Sequence, residues 1–258
     1  MTKTEALTTE HGIEGTRWAV LDKTCERLAR ARQYREATGR PFVTVSYAQS
    51  LDGSVATSRR RPLILSSAES LALTHALRAS HKAILVGIGC VLADNPRLTV
   101  RLISGSNPQP VVVDSDLRCP LTANLLKNDG ICPWIVTTDK AGMERQKTLE
   151  QAGARVIRVK AGRRGWVHLG SLLKVLADAG IESLMVEGGS KIITSFLVDR
   201  LVNQVVVTVA PLFVGGLRAP GSAAEGRRSA FLPRLANIFY EKVGDDVVVL
   251  GDASWDNP

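Results

Sequence analysis

Met185-Val186-Glu187-Gly188-Gly189-Ser190-Lys191 is the most informative segment of this chain. The apolar residues 183–186 predict a buried strand, and residues 191–200 predict a helix. A glycine pair between a strand and a helix lets a phosphate approach the first free N–H groups of that helix. Glu187 stands at the carboxyl end of the strand, where open α/β sheets bind their ligands. The junction therefore predicts a site for an anionic ligand beside an acid or hydrogen-bond acceptor.

The same alternation of strand and helix runs through most of the chain. Further strands are expected at residues 42–48, 83–86, 110–114, 133–138 and 155–159, and further helices at residues 67–79, 141–152 and 169–179. This alternation predicts the α/β class, with a mostly parallel sheet flanked by helices. Two late strands, at residues 204–210 and 246–250, have no clear helix between them, so they predict an antiparallel C-terminal edge.

Residues 41–258 are interpreted as one domain, and residues 1–40 as an N-terminal extension. The polar, Thr-rich residues 1–15 are expected to be disordered. After them Trp18, Leu21, Cys25 and Leu28 recur at helical spacing and predict one amphipathic helix that ends near Gly39-Arg40-Pro41. We expect this helix to pack on the domain or on a second subunit. Residues 215–228, rich in Gly, Ala and Arg, are expected to form a mobile loop.

Composition limits the function classes. No apolar run among the 258 residues approaches the roughly 20 that cross a bilayer, and the N-terminus has no apolar signal core. The expectation is a cytoplasmic protein without membrane contact, in which four cysteines stay reduced. No Cys or His lies at metal-ligand spacing, so no metal is expected. The net charge is +8, but basic residues do not alternate with aromatics, which favours phosphate-bearing small molecules over nucleic acid.

Other motifs are weaker. Gly87-Ile88-Gly89 follows a strand, but Leu92 replaces the third glycine of a dinucleotide fingerprint, so we interpret it as a tight turn. No Ser-His-Asp or Cys-His set is present, and the histidines are interpreted as surface or helix residues. Asp94-Asn95-Pro96 is turn chemistry, either a capped turn or, with Arg101, a grip on polar ligand groups. A pocket for two phosphorylated molecules, in which a cofactor carries the reactive atom, fits these features best.

Six groups of residues, taken in chain order, resemble the motifs of the reductase domain of riboflavin biosynthesis, the C-terminal half of bifunctional RibD-type deaminase-reductases. The resemblance covers about residues 41–250, and the zinc-binding signature of the deaminase half does not occur in the sequence. The matching groups are Ser50-Leu51-Asp52-Gly53-Ser54-Val55-Ala56-Thr57, Ile84-Leu85-Val86-Gly87-Ile88-Gly89, Ala93-Asp94-Asn95-Pro96 with Leu98-Thr99-Val100-Arg101, Val113-Asp114-Ser115, Val186-Glu187-Gly188-Gly189-Ser190, and Ala210-Pro211-Leu212 with Gly215-Gly216.

The resemblance implies a dihydrofolate-reductase-like fold, a homodimer, and NADPH as cofactor. It implies reduction of the ribosyl group of a phosphoribosylamino-pyrimidine to a ribityl chain, with Glu187 as the catalytic carboxylate. Substrate contacts are implied at Arg78, Leu98, Arg101 and Glu187, where an arginine fork suits a phosphate. Cofactor contacts are implied at Gln49, Leu65, Cys90, Asp94, Ser115, Gly188, Gly189, Ser190, Lys191, Ile192, Ile193, Thr194 and Ser195.

Two departures from the family leave alternatives open. A lysine common in the first strand is Ser46 here, and a substrate-contacting stretch with Ser and Trp is replaced by Arg60-Arg61-Pro62-Leu63-Ile64-Leu65. The alternatives are a reductase of the same fold with another pteridine or pyrimidine substrate, and a non-catalytic nucleotide-binding assembly protein. A choice of NADPH over NADH needs a group that meets the 2′-phosphate, and the candidates are Ser115, Arg118, Thr137 and Thr138.

Overall fold

The computed structural model describes residues 17–58, 63–128, 130–220 and 233–255. The strands are β1 (Phe42–Ser50), β2 (Ser54–Ala56), β3 (Ala83–Gly87), β4 (Gln109–Val113), β5 (Trp134–Thr138), β6 (Arg155–Val159), β7 (Ser183–Gly188), β8 (Gln204–Ala210), β9 (Leu217–Arg218), β10 (Arg234–Val243) and β11 (Asp246–Ser254). The helices are α1 (Ala19–Leu28), α2 (Ala31–Thr38), α3 (Ala68–Ser80), α4 (Ile88–Asp94), α5 (Met143–Gln151), α6 (Leu169–Asp178) and α7 (Ser190–Val198).

Nine of the described strands form one sheet in the order β10-β11-β8-β1-β7-β3-β4-β5-β6. From β8 to β6 the neighbouring strands run parallel, while β11 is antiparallel to both β8 and β10. The predicted α/β class, with a mostly parallel sheet and an antiparallel C-terminal edge, is confirmed. Strand β7 enters the sheet between β1 and β3, so the carboxyl end of β7 lies at the centre of the sheet edge.

Alternation along the central strands sorts side chains between the two faces of the sheet. Leu184 and Val186 of β7 pack into the core beneath α6 and α7, which includes Phe196. Met185 points to the opposite face, where it packs with Leu73 and other residues of α1 and α3. Glu187, two residues after Met185, also lies on the α3 face.

The N-terminal segment differs from the single helix that was expected. It forms two helices, α1 and α2, separated by a turn at Ala29 and Arg30. Helix α1 packs on α3 and on the β10–β11 hairpin, and Glu241 accepts hydrogen bonds from its first backbone N–H groups. Helix α2 instead contacts β1, and Arg35 donates to the carbonyl of Ala177 at the end of α6. The chain therefore turns because the two segments pack on different elements.

The remaining differences concern the C-terminal edge, one junction and the segments outside the described ranges. Strand β10 was not predicted, because most of its residues are exposed and carry no buried periodicity. Gly87-Ile88-Gly89 is not an isolated tight turn, since Gly87 caps the short helix α4. The predictions for residues 1–15, 60–62 and most of 215–228 lie outside the described residues. Within the described part of the last segment, where a mobile loop was expected, Leu217–Arg218 form β9 because they pair with β2.

Asp52 ties the loop after β1 to the loop before β9. Its carboxylate accepts hydrogen bonds from the hydroxyls of Ser50 and Ser54, at 2.5 and 2.6 Å, and from the backbone N–H groups of Val214 and Gly215, both at 2.9 Å. These bonds, first of all the one from Ser50, lower the pKa of Asp52. The Leu51-Asp52-Gly53 group thus has a structural role at the carboxyl edge of the sheet.

We expect Asp52→Asn to lower Tm by about 2–4 °C. The amide keeps one acceptor oxygen, so donors that now meet the second oxygen lose their partner. Because the folded-state pKa is lowered, the difference from wild type should be full above the ordinary value of 3.8 and shrink below it. Thermal unfolding followed by circular dichroism over this pH range measures both effects. Asp139→Asn, on an exposed turn, is the control and should match wild type.

Candidate functional site

A β-bulge sets the position of Glu187. Leu85 of β3 pairs with Val186, and the next residue, Val86, pairs with Gly188, so Glu187 is the extra residue of β7. Bulges of this kind redirect a side chain and are frequent next to active sites. Glu187 is therefore presented at the carboxyl edge of the central strand, on the α3 face.

Arg78 of α3 holds the Glu187 carboxylate in a two-pronged ion pair. Its Nε and Nη2 donate to Oε1 and Oε2 at 2.6 and 2.7 Å, and each side chain is 13% exposed. The third nitrogen, Nη1, donates to the carbonyl of Thr99 at 3.1 Å. Burial alone would lower the pKa of Arg78, but the pair with Glu187 more than offsets this and raises it. The geometry makes Arg78 chiefly a group that positions Glu187.

Arg101 shares the Thr99 carbonyl with Arg78, and the charge of Arg97 acts on Arg101. Arg101 donates from Nη1 to the hydroxyl and carbonyl oxygens of Thr99 at 2.9 and 3.2 Å. Burial, then the charges of Arg78 and Arg97, lowers the pKa of Arg101. Glu187 neutralises one cation of this group, so a surplus of positive charge remains at the mouth of the site. Such a cluster suits a phosphate.

His75 of α3 fixes the backbone of the loop that carries Arg97 and Arg101. Its Nδ1 accepts the backbone N–H of Arg101 at 2.8 Å, so the neutral ring carries its proton on Nε2. Nε2 lies 3.4 Å from Nη1 of Arg78, and since both nitrogens are then donors, this is a packing contact. Burial, followed by the charges of Arg78 and Arg101, lowers the pKa of His75 to about 3. His75 is therefore a neutral, buried support, not a surface residue.

This shift predicts a specific acid sensitivity. Unfolded His75 takes up a proton below its ordinary value of 6.5, and folded His75 does so only near 3, so stability should fall as the pH drops between these values. The slope from one such group is at most about 1.4 kcal/mol per pH unit. Urea unfolding of His75→Gln should lack this part of the slope. His168→Gln, at an exposed helix cap, should retain it, and equal slopes in both variants would contradict the assignment.

The glycine junction follows Glu187 directly. Gly189 has φ 77° and caps the N-terminus of α7. A Cβ on Gly188 or Gly189 would lie 3.2 or 3.3 Å from Sγ of Cys90, so side chains there would fill the space between α4 and the loop. Burial, then the charges of Asp94 and Glu187, raises the pKa of Cys90 to about 12. The Cys90 thiol is thus neutral and forms an uncharged wall beside the junction.

Close packing also places the start of α7. A Cβ on Gly87 would lie 2.6 Å from Cγ1 of Ile192, so a larger residue there would force the Ile192 side chain of α7 to move away from the end of β3. The hydroxyl of Ser190 donates to the carbonyl of Arg218 at 2.8 Å. The first turn of α7 is therefore fixed from both sides, with its N–H groups at the edge of the sheet.

The other implied cofactor residues are placed unequally. Gln49 is half-buried at the end of β1, Leu65 is half-buried after the segment 59–62, and Asp94 is exposed at the end of α4. Within α7, Ile193 and Thr194 are 2% and 3% exposed, so their side chains face the core. The hydroxyls of Thr194 and Ser195 donate to carbonyls one turn earlier in the helix.

Among the implied substrate residues, Leu98 stands apart. Its side chain is 1% exposed and packs in the core beneath α4, and its backbone has φ 58°. The turn before it is held by Asn95, which accepts the N–H of Asn124 and also receives the amide of that residue, and not by Asp94. Only the backbone of Leu98 is thus in a position to face a ligand.

Sequence reasoning missed the support from His75 and the contribution of Arg97. Both follow from how α3 meets the loop at residues 95–103, which no local pattern reports. The sequence does indicate the arginine pair, because Arg97 and Arg101 lie four residues apart directly after Asp94-Asn95-Pro96.

A surface cavity of about 700 Å³ lies near the amino ends of β1 and β8, where α1 and α2 meet the β10–β11 hairpin. It is lined by Lys23, Glu26, Arg27, Arg30, Tyr34, Phe42, Asn203, Asn237, Ile238, Phe239 and Asp252. The carboxyl edge is the stronger candidate because it holds the buried ion pair and the glycine junction. Across the described ranges, no group of three or more His, Cys, Asp or Glu side chains is placed to hold a metal. No described helix has the length and apolarity to cross a membrane.

Comparison with known proteins gives independent evidence about the family of this chain. The sequence pattern of the family described as RibD C-terminal domain matches residues 41–249. The chain is 36% identical over 220 residues to the 2,5-diamino-6-ribosylamino-4(3H)-pyrimidinone 5′-phosphate reductase of Archaeoglobus fulgidus, covering 81% of this chain and 97% of that protein. It is 34% identical over 242 residues to the riboflavin biosynthesis protein RibD of Bacillus amyloliquefaciens, covering 92% of this chain and 64% of the longer relative.

Two solved structures of related proteins share the fold of this chain. The Saccharomyces cerevisiae riboflavin biosynthesis reductase Rib7 has a TM-score of 0.67 at 26% identity, covering 87% of this chain and 100% of that one. RibD of Acinetobacter baumannii has a TM-score of 0.75 at 23% identity, covering 88% of this chain and 62% of that one, and bears on the fold alone.

Proposed function

Since this chain belongs to the RibD C-terminal domain family, we propose that it is an NADPH-dependent reductase of riboflavin biosynthesis. In this proposal it reduces the ribosyl group of 5-amino-6-(5-phosphoribosylamino)uracil, or of its 2,5-diamino precursor, to the ribityl chain. The observation that carries the proposal is the Glu187–Arg78 pair, held at the centre of the sheet edge directly before a glycine junction.

The residues at the junction fit a dinucleotide. Cβ atoms at Gly188 and Gly189 would fill the space beside Cys90, and the helix N-terminus behind them offers N–H donors to a pyrophosphate. NADPH, when bound, supplies the hydride. In the proposal the backbone N–H groups of Ser190 and Lys191 bind the pyrophosphate, and the neutral Cys90 thiol adds no charge beside the nicotinamide ring.

Glu187 acts on the substrate through oxygen lone pairs that Arg78 does not use. Each carboxylate oxygen accepts one guanidinium N–H and still has capacity for a sugar hydroxyl. A cyclic ribosylamine must open to its imine before C1′ can accept a hydride, and a proton must then reach the nitrogen. A fixed carboxylate that binds the ribose hydroxyls helps to orient the open chain and to guide this proton.

Arg97 and Arg101 are proposed to bind the substrate phosphate. Arg78 is committed to Glu187, so the two neighbouring arginines carry the uncompensated charge. The backbone N–H of Arg101 is fixed by His75, which holds this loop in place. Selective binding of a phosphorylated substrate follows from this arrangement.

Ser46 favours a second candidate, a reductase of the same fold with another pteridine or pyrimidine substrate. Val43 and Val45 of β1 face the α6–α7 core, so Ser46, 7% exposed, faces the Glu187 side of the sheet. Val45 pairs with Val186, which brings Ser46 level with Glu187. The small neutral side chain, in place of the lysine common in the family, leaves Arg78 as the cation on Glu187.

The deciding experiment measures NADPH oxidation by the purified chain with the deaminated and the diamino ribosylamino-pyrimidine phosphates, and with pterins. Faster turnover of either pyrimidine phosphate supports the proposal and identifies the substrate. Preference for a substrate without a phosphate would favour the second candidate. Tight NADPH binding without any turnover would indicate a non-catalytic assembly protein.

Assembly and location complete the proposal. We propose a homodimer through the outer face of the β10–β11 hairpin, where Tyr240 and Val247 are 63% and 43% exposed. Light scattering should then give twice the 27.8 kDa of one chain, and a single-chain mass would exclude the dimer. The four cysteines are free thiols, which fits a cytoplasmic enzyme.

A further inference from the structure

A second cationic group lies on the other side of the glycine junction. The side chain of Trp166 is surrounded by two cations, with Arg164 Cζ 5.7 Å and Lys191 Nζ 5.8 Å from its ring centroid. Trp166 is 44% exposed, and both cations belong to exposed residues. In the described part of the chain, neither cation forms an ion pair. We call Arg164, Trp166 and Lys191 the cation–indole cluster.

A short hairpin brings the cluster to the carboxyl edge of the sheet. Ala161 and Val167 form an antiparallel bridge, and the N–H of Val167 donates to the hydroxyl of Ser115 at 3.1 Å. Ser115 is the second residue after the end of β4, and β4 lies two strands from β7 in the sheet. With strands about 4.8 Å apart, the hairpin anchor is on the order of 10 Å from the Glu187 strand. An extended dinucleotide spans such a distance.

We propose that the cation–indole cluster binds the adenosine 2′-phosphate end of NADPH, with the adenine stacked on Trp166 and the 2′-phosphate bound by Arg164 and Lys191. This inference rests on the proposed function and identifies the cofactor preference of the same site. An indole face is a stacking surface for a purine, and two unpaired cations beside it recognise a phosphate that NADH lacks.

Burial removes Thr137 and Thr138 as candidates for this role. They are 0% and 1% exposed, and both hydroxyls donate to the carbonyl of Ser115. The half-buried Ser115 hydroxyl accepts the N–H of Val167 and carries no charge to offset that of a 2′-phosphate. Arg118 lies 4.0 Å from the buried Asp114 carboxylate, which competes for its charge. Arg164 and Lys191 are free of such a competitor within the described ranges.

The test uses two probes that need no substrate, adenosine 2′,5′-bisphosphate and adenosine 5′-monophosphate, in calorimetric titrations. Wild type should bind the bisphosphate at least tenfold more tightly. The double variant Arg164→Gln/Lys191→Gln should reduce this ratio to about twofold or less, with its affinity for the monophosphate unchanged. Trp166→Ala should weaken both probes alike, and Trp166→Phe should retain most of the binding. Bisphosphate should quench wild-type tryptophan fluorescence, and this quenching should disappear in Trp166→Phe.

A matched control lies at the amino ends of β5 and β6, away from the carboxyl edge of the sheet. Arg155 Cζ lies 5.1 Å from the ring of Trp134, so Arg155→Gln removes a comparable cation–indole contact away from the site. It should leave the probe ratio at the wild-type value. The single variant Arg164→Gln, on an exposed turn, keeps the test valid if Trp166→Ala fails to fold. Equal binding of the two probes by wild type would overturn the inference, as would a ratio that depends on Arg118 instead of the cluster.

The outcomes also separate this inference from the proposed function. Probe discrimination that depends on the cluster, together with absence of turnover on every pyrimidine phosphate, would retain the site and reject the reductase. Turnover with NADPH and an unchanged probe ratio in the double variant would do the reverse.

Discussion

Replacing Glu187 with Gln is expected to lower kcat with the pathway substrate at least tenfold, a loss of about 1.4 kcal/mol of transition-state stabilisation. The carboxylate is held by Nε and Nη2 of Arg78 at 2.6 and 2.7 Å. In the amide, one acceptor oxygen becomes a donor that faces the guanidinium, so the group loses both its fixed orientation and its capacity to guide a proton. Binding of NADPH should change little, because the junction is left intact.

Steady-state rates with NADPH and the better pyrimidine phosphate measure this effect, with circular dichroism as a check on folding. Glu182→Gln is the matched control, since Glu182 directly precedes the same strand at its opposite end and should keep wild-type kcat. Wild-type turnover in Glu187→Gln would remove the carboxylate from the mechanism. A loss confined to KM would make Glu187 a binding group only.

Gly216→Ala is expected to destabilise the fold by about 3 kcal/mol or more. An added Cβ would lie 1.9 Å from the carbonyl oxygen of Ala56 and 3.1 Å from Cα of Thr57. These are backbone atoms, so no side-chain rotation relieves the overlap, and β9 must separate from β2, with which it forms an antiparallel two-stranded sheet. The hydrogen bond from the Gly216 N–H to Ser54 Oγ, 2.8 Å long, would be lost at the same time.

Urea unfolding gives the free energy directly. Gly142→Ala serves as the control because Gly142 has φ −64° and an added Cβ would meet nothing within 4 Å. Gly142 is the N-cap of α5, where alanine is less favourable than glycine, so this variant should lie within about 1 kcal/mol of wild type. A midpoint for Gly216→Ala equal to that of wild type would show that the β2–β9 contact is not required for the fold.

Much of the architecture was readable from local patterns. Apolar runs such as residues 83–86 and 183–186 became central strands because a strand buried on both faces needs side chains that are apolar throughout. The Gly188-Gly189 junction was predictable because the positive φ of Gly189, directly after a strand, favours glycine over residues with a side chain. The edge strand β10 was not readable, since its largely exposed side chains carry no burial signal.

Local patterns were enough to predict the α/β class, the glycine junction and the carboxylate at its start, because each follows from residues within a few positions of one another. The partner of that carboxylate depends on three-dimensional packing, since Arg78 and Glu187 lie 109 residues apart and meet because α3 packs beside β7. Tertiary packing likewise sets the neutral state of His75 beside Arg101, the burial of Thr137 and Thr138, and the formation of the cation–indole cluster. Burial and charge at these positions depend on elements distant in the chain, so they are set by packing and not by local pattern.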